Sequence, residues 1–582
     1  MDSPPYHILL GAVAIFILGP LGGITAAYMN FSLGFFVGGQ VLAGILGSVV
    51  TYGYGAEGKH GANYMQTMAA SVASLSGMAV LVQAMTWLGI PEPPTWQLVL
   101  YFLCIGMFGV GVGMLYTPIL VDRMQLTFPS GFAVANILRA LTDLRILERS
   151  IMKLGVGTLA GLVGGLGASL SKGIEATGFS AATVGAGAIV GARIGVPAIT
   201  VGAIGVWLTP WLRANGWLDA NAPFRKIGFI AALGMILGAA IVDMSLLGVQ
   251  AAKEWGAAKG KKAPPAEDWK RTDNRFLVGW VIFWAAGVAA TAVTVLHLPV
   301  LYTVIGIGLV FIFLMVNGIS LGISDSNPIS SAFVITVFIL AAVGLKVPAV
   351  GLLCASILLV STSVGCDMQQ DRSTGWRLGT NRAIQFRYQV IGVTMGAVMS
   401  VVLARLFMQA YPILKLNQYA HPDAPGIDKW QSAMTFKFIG ALDSLAHPNP
   451  HVMIALSLGI ALGLITEVLR KVIKGNAAWK VWKTESRAGY YTDLALDCIF
   501  LPSPYASSFG GFVNFDVAAW FGGGSIAGSL WNTWSSSRPR RPEDADLPED
   551  MSDTSLVGGG LIAGDSLAAL GLGIWGLLHT ML

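Results

Sequence analysis

The sequence has little charge. Only 12% of its 582 residues are Asp, Glu, Lys or Arg, where a soluble domain of this length carries about 25%. It also has little cysteine. Cys104, Cys354, Cys366 and Cys498 show no paired spacing, which argues against a disulfide framework and a metal site. No HExxH, G-x-S-x-G, P-loop or dinucleotide fingerprint occurs. An enzyme, a resident cofactor and an ATP-driven pump are therefore not expected. His447 and His451 stand four apart, but Pro448 and Pro450 break the helix that would align them. Strict alternation over ten-residue windows is absent, which disfavours a β-barrel. Met1–His7 contains no Lys or Arg, so no cleaved signal peptide is expected. The net charge of +5 sits mostly in loops and implies no nucleic-acid partner.

What the sequence has is apolar length. Hydrophobic residues make up 54% of the chain, and the mean hydropathy is +0.67. Stretches such as Leu98–Leu120, Ile151–Leu170, Phe276–Leu296, Leu298–Gly318, Val390–Leu406 and Val452–Leu469 can each cross a hydrocarbon core of about 30 Å as a helix. The expected fold is all-α: a polytopic transmembrane bundle of about 16 segments in the lipid bilayer, multi-pass in the cell's inner (plasma) membrane. The 73 glycines lie largely inside these segments, as in Gly155–Gly167 and Gly185–Gly205. There they permit close helix packing or broken helices where a solute binds.

A hydrophilic stretch, residues 251–275, divides a first half (1–250) from a second (276–582). It holds Lys253, Lys259, Lys261, Lys262, Lys270, Arg271 and Arg275, so it is assigned to the cytoplasm. Two more basic loops, Arg372–Arg387 and Arg470–Arg487, are assigned there too. The long loop Gln409–Thr435 is poor in Lys and Arg and is assigned outside. A basic loop at Arg139–Lys153 breaks strict alternation. The run before it, Phe128–Leu141, is too short to cross, and Pro129-Ser130-Gly131 is a helix-start signal. A re-entrant half-helix is expected there. Both halves close with a Gly-interrupted segment bearing one charge, then a Gly-rich helix bearing one aspartate. These are Arg193 and then Asp243 in the first half, and Asp516 and then Asp565 in the second. Such placement marks repeat-built transporters with the site between repeats; chance likeness among Gly/Ala-rich helices is the competing reading.

Ionisable groups at membrane depth are costly, so each is a candidate for function. They are Arg193, Asp243, Asp325, Asp367, Asp371, Arg405, Asp497, Asp516 and Asp565. The competing role is an ion pair or a helix cap. Asp367 and Asp371 lie four apart, on one helical face, where like charges raise one pKa. Alternatively they cap a helix end beside Arg372 and Arg377, facing cytoplasmic water.

Five strings, in order, resemble the oligopeptide transporter family, and its yellow-stripe-like branch most. They are Asn63-Tyr64-Met65-Gln66-Thr67, the run Leu126–Ala135 around Pro129-Ser130-Gly131, and Gly322-Ile323-Ser324-Asp325. Then come Cys366-Asp367-Met368-Gln369-Gln370-Asp371 with Thr374-Gly375, and Gly560–Asp565. The chain departs from the branch at Gly61 and Ala62, where an acid is usual. It also lacks a proline near Asn381-Arg382 and the long N-terminal extension of plant members, as in a bacterial-type member. The resemblance implies a secondary transporter coupled to protons, taking up small peptides or metal-chelate complexes, and a homodimer. A channel or a carrier of another small solute is the alternative. The substrate-binding candidates are Asn63, Gln66, Thr67, Pro129, Ser130, Gly131, Thr374 and Gly375. The proton-coupling candidates are Asp325, Asp367, Asp371, Asp516 and Asp565, with Asp565 and Asp325 ahead.

Overall fold

A bilayer offers backbone N–H and C=O groups no partners, so long apolar runs satisfy them internally as helices. In the computed structural model the described residues are 3–32, 40–142, 144–218, 220, 222–257, 267–324, 327–421, 430, 432–443, 450–536 and 552–581. Among them are helices and turns, and no strand. Among the described residues eleven helical stretches are long and apolar enough to cross a membrane, against about 16 expected segments, and two shorter apolar helices, Ala181–Val190 and Ala332–Ala342, accompany them.

In chain order the helices begin with α1 (Pro4–Val13), α2 (Gly19–Ser32), α3 (Gln40–Thr51), α4 (Gly58–Ser76), α5 (Ala79–Trp87) and α6 (Thr95–Thr117). There follow α7 (Pro129–Thr142), α8 (Leu144–Leu170), α9 (Lys172–Glu175), α10 (Ala181–Val190), α11 (Ala192–Ala214) and α12 (Arg225–Ala257). α12 runs into the hydrophilic 251–275 stretch, and after it come α13 (Asn274–Ala290), α14 (Val300–Ser324), α15 (Ile329–Ala342), α16 (Pro348–Leu378), α17 (Arg382–Ala410) and α18 (Ala433–Asp443). The series closes with α19 (Pro450–Gly475), α20 (Ala477–Glu485), α21 (Arg487–Ala495), α22 (Pro504–Phe512), α23 (Phe515–Ser536) and α24 (Asp553–Met581).

Three expected loops are helical instead. The Arg139–Lys153 stretch is the end of α7 and the start of α8. The Arg372–Arg387 stretch is the end of α16 and the start of α17, joined by three residues. The Arg470–Arg487 stretch is the end of α19 followed by α20. Arg382 pairs with Asp122, and Arg470 and Lys474 with Asp497. The α16–α17 stretch is largely buried, with Arg372 and Arg382 inside the protein, whereas α20 has no buried residue; charge density alone does not separate the two cases.

Glycine sets the packing. In lipid, helices gain most from close backbone approach. Gly157 and Gly161 of α8 face the Val557 and Leu561 carbonyls of α24. Gly459 and Gly463 of α19 face the Ala231 and Met235 carbonyls of α12. A Cβ at any of the four would overlap backbone. At the centre, α4 packs against α2, α3, α16 and α17. The expected breaks are present too. Gly191, at φ 83, separates α10 from α11, and extended backbone at Val513 separates α22 from α23.

Candidate functional site

α16 stops at Gly379, whose left-handed φ of 70 closes the helix. Asn381 then caps α17 by accepting hydrogen bonds from the Ala383 and Ile384 N–H groups. This tight stop-and-start turns the chain back on itself. The last turns of α16 thereby face the first turns of α17, with α4 across from both.

This crossing is polar and enclosed. Gln66 Nε2 donates to Asp371 Oδ1 at 2.6 Å. Gln385 Nε2 donates to Thr67 Oγ1 and to the Asp371 carbonyl, both at 2.9 Å. Arg372 Nη2 donates to Gln389 Oε1 at 3.0 Å. Gly375 leaves room for Gln385 and Asn63, since a Cβ there would lie 2.7 Å from Gln385 Oε1 and 3.4 Å from Asn63 Nδ2. Asn63, Gln66, Asp371 and Gln389 are 0% exposed, and Arg372 is 1% exposed. Several of their atoms have no partner: both Asn63 amide atoms, Gln66 Oε1, Asp371 Oδ2, Arg372 Nε and Nη1, and Gln389 Nε2. Buried polar groups are ordinarily satisfied, so this concentration stands out from the rest of the bundle.

α7 closes one side. It starts at Pro129, and its first turn is pinned to α16. Thr374 Oγ1 donates to the Gly131 carbonyl at 2.9 Å. Arg377 Nη2 donates to the Thr127 carbonyl at 3.0 Å, with its guanidinium over the Phe132 ring. The structure thus gathers Asn63, Gln66, Thr67, Gly131, Thr374, Gly375 and Asp371, which lie on three distant segments of the chain. Pro129 is buried beside them and Ser130 is half-buried. The solvated cap considered for Asp371 does not occur, because its carboxylate is sealed from water. Asp367, one turn earlier, is half-buried.

The remaining acids lie elsewhere. Asp565 accepts from Ser180 Oγ at 2.8 Å and from the Ala182 N–H at 2.9 Å, capping α10. Asp516 is half-buried in the first turn of α23, packed on Gly178. Asp325 lies outside the described residues. Arg193, Asp497 and Asp243 join a charge network with Asp493, Glu467, Arg470, Lys471 and Lys474. Arg193 pairs with Asp493 at 2.6 Å and with Asp497. Lys474 pairs with Asp497 at 2.6 Å, and Lys471 with Asp243 at 2.7 Å. Burial would push the Asp493 carboxyl up, but hydrogen bonds from Arg193 and Trp479 and the charge of Lys474 outweigh it and hold it at about 2. Arg405 hydrogen-bonds Thr95 and the Pro93 carbonyl.

Sequence reasoning missed Arg372, Gln385 and Gln389. Arg372 was assigned to a cytoplasmic loop by its basic neighbours. One signal was available: the Leu378-Gly379-Thr380-Asn381 stop-and-start string places Arg372 inside α16.

Broken helices and an enclosed polar crossing among long apolar helices define a polytopic membrane transporter. The model of the OPT oligopeptide transporter protein family matches residues 12–171 and 150–575. The chain belongs to that family. It is also 23% identical over 564 residues to "Probable metal-nicotianamine transporter YSL8" of Oryza sativa subsp. japonica, covering 86% of this chain and 75% of that protein.

Proposed function

We propose that this protein is a proton-coupled symporter carrying small peptides or metal-chelate complexes into the cell across the plasma (inner) membrane. The observation that carries the reading is the α4–α16–α17 crossing, where partnerless donors and acceptors are held away from water. Packing alone gives no reason to keep such groups, whereas a solute that supplies the missing partners does. The OPT family match and the metal-nicotianamine name of the rice relative support the solute class.

The proposed architecture is two inverted repeats, α2–α12 and α14–α24, with α13 as the crossing that turns the second over. Its support is a set of paired contacts. α8 meets α24 as α19 meets α12, glycine against backbone at matching places. α10 and α22 are short helices, each preceded by a serine, and each meets the aspartate-bearing helix of the other half: Asp565 with Ala182, Asp243 with Tyr505. The inversion rests on two contacts. Gln66 meets Asp371 and Ser74 meets Ser363, so α4 and its counterpart α16 run antiparallel. That puts the relating axis in the membrane plane.

Asp371 is the proposed proton carrier, ahead of Asp565 and Asp325. It has a free oxygen beside Gln66 and is one residue from the Arg372 charge. Uptake into proteoliposomes tests the whole reading. Di-, tri- and tetrapeptides and metal-nicotianamine complexes would be offered with and without a pH gradient. Saturable uptake driven by the gradient is expected. Flux that neither saturates nor responds to pH would point to a channel and reject the proposal.

A further inference from the structure

The two proposed repeats match in backbone and differ in chemistry at one place. α5 ends at Leu88-Gly89 and α16 at Leu378-Gly379, both glycines left-handed at φ 66 and 70. Just before those ends, the Val80 carbonyl accepts from Thr435 in α18, and the Gln370 carbonyl lies against Gly131 in α7. In that register Asp371 corresponds to Leu81 and Arg372 to Val82. Gln385 and Gln389 are the fourth and eighth residues of α17. The same places in α6 are Leu98 and Phe102. All four counterparts are apolar and buried. The first proposed repeat fills this crossing with hydrocarbon, while the second installs a guanidinium.

We propose that Arg372 is the receptor for a carboxylate of the transported solute, in a site whose counterpart across the repeat is a solid apolar seal. The inference deepens the transport reading and rests on it. A guanidinium carries five N–H donors and no acceptor. Arg372 uses Nη2 on Gln389 and leaves Nε and Nη1 without a partner. Among the described residues no carboxylate oxygen lies within ion-pair distance of it. Buried donors left without partners are unfavourable, and the proposed counterpart position holds the apolar Val82 instead. A carboxylate meets the end-on fork of Nη1 and the second N–H of Nη2 with two parallel hydrogen bonds. The Asp371 carboxylate is held through Oδ1 by Gln66 of α4, with Oδ2 left without a partner, while Arg372 is held by Gln389 of α17. The solute class this selects is a compound with a free carboxylate, such as an unblocked peptide or an amino-carboxylate chelator.

The test uses the full-length protein in nanodiscs and two probe pairs. One is dialanine with its C-terminal amide; the other is zinc-nicotianamine with its methyl ester. Thermal unfolding midpoints are read for wild type, Arg372→Met and Arg372→Lys. At least one acid form should raise the wild-type midpoint while its blocked form does not. Arg372→Met should still unfold cooperatively and should lose the acid-induced shift. Arg372→Lys should keep part of it. Equal shifts from acid and blocked forms overturn the proposal, as does the absence of any acid-induced shift. So does an Arg372→Met protein that keeps wild-type discrimination. Proteoliposome uptake separates the two levels. Uptake indifferent to the free carboxylate rejects Arg372 and keeps the transporter, while no uptake of any probe rejects the solute class itself.

Discussion

Phe128 and Ser432 hold the same left-handed backbone, at φ 45 and 44, and each donates its N–H to the end of a long helix. Phe128 N–H reaches the Gly322 carbonyl at 2.8 Å, and Ser432 N–H reaches the Phe31 carbonyl at 3.0 Å. Each stands immediately before a short helix, α7 or α18. A non-glycine residue keeps such backbone only where its surroundings over-determine it. Two short helices are thus entered by the same strained step, pinned to α14 and α2.

The glycine contacts lead to the first prediction. A Cβ at Gly463 would overlap the Met235 carbonyl, and one at Gly161 the Leu561 carbonyl. Gly463→Ala and Gly161→Ala should each destabilise the protein by about 1–3 kcal/mol through overpacking. Gly308→Ala has open space around its Cβ and serves as the control. Thermal unfolding in detergent reads all three. Equal midpoints across the set would show that these helix pairs have slack.

Asp371→Asn and Asp565→Asn should part company. The Asp565 carboxylate accepts from two donors on α10, and an Asn oxygen can accept from the same two. Accumulation under a pH gradient should persist in Asp565→Asn. In Asp371→Asn it should fall to the level reached without a gradient, while exchange at equal concentrations continues. Normal gradient-driven accumulation by Asp371→Asn would move the coupling site elsewhere.

The charge network carries a pH signature of its own. Asp493, in the polar helix α21, is held at about 2, below the usual carboxylate value of about 4. A depressed acid contributes stability that is full above its ordinary pKa and is lost as pH falls toward the lowered one. The wild-type unfolding midpoint should hold from pH 7 to about 5 and decline between about 4 and 2. Asp493→Asn should start lower at pH 7 and decline less over that window. A mutant that tracks wild type at every pH would mean the Arg193 pair adds nothing net. Asp493 does not change charge near neutrality, so it is not a candidate proton carrier.

Much of this was legible in the sequence because local rules held locally. Apolar length gave the helices. The interruptions around Arg193 and Asp516 fall where α11 and α23 begin. Pro129 starts α7, as a proline at a helix start should. The polar strings around Gln66 and Thr374 converge in space. Arg372 was not legible as a site residue, because a basic residue near others reads as a solvated loop. Whether a helix end points into water or into neighbouring helices is decided by tertiary packing. The role of Asp565 was hidden for the same reason: its partners Ser180 and Ala182 are more than half the chain away in sequence.

The pairing of α8 with α24 also sets an order of assembly. Helices enter the membrane from the N-terminus onward, yet the glycine face of α8 and the start of α10 find these partners in α24, across the whole second half of the helix order. During synthesis those surfaces must wait in lipid, with the Ala182 N–H lacking its Asp565 cap, until α24 has been made. A chain stalled before residue 553 keeps that glycine seam open.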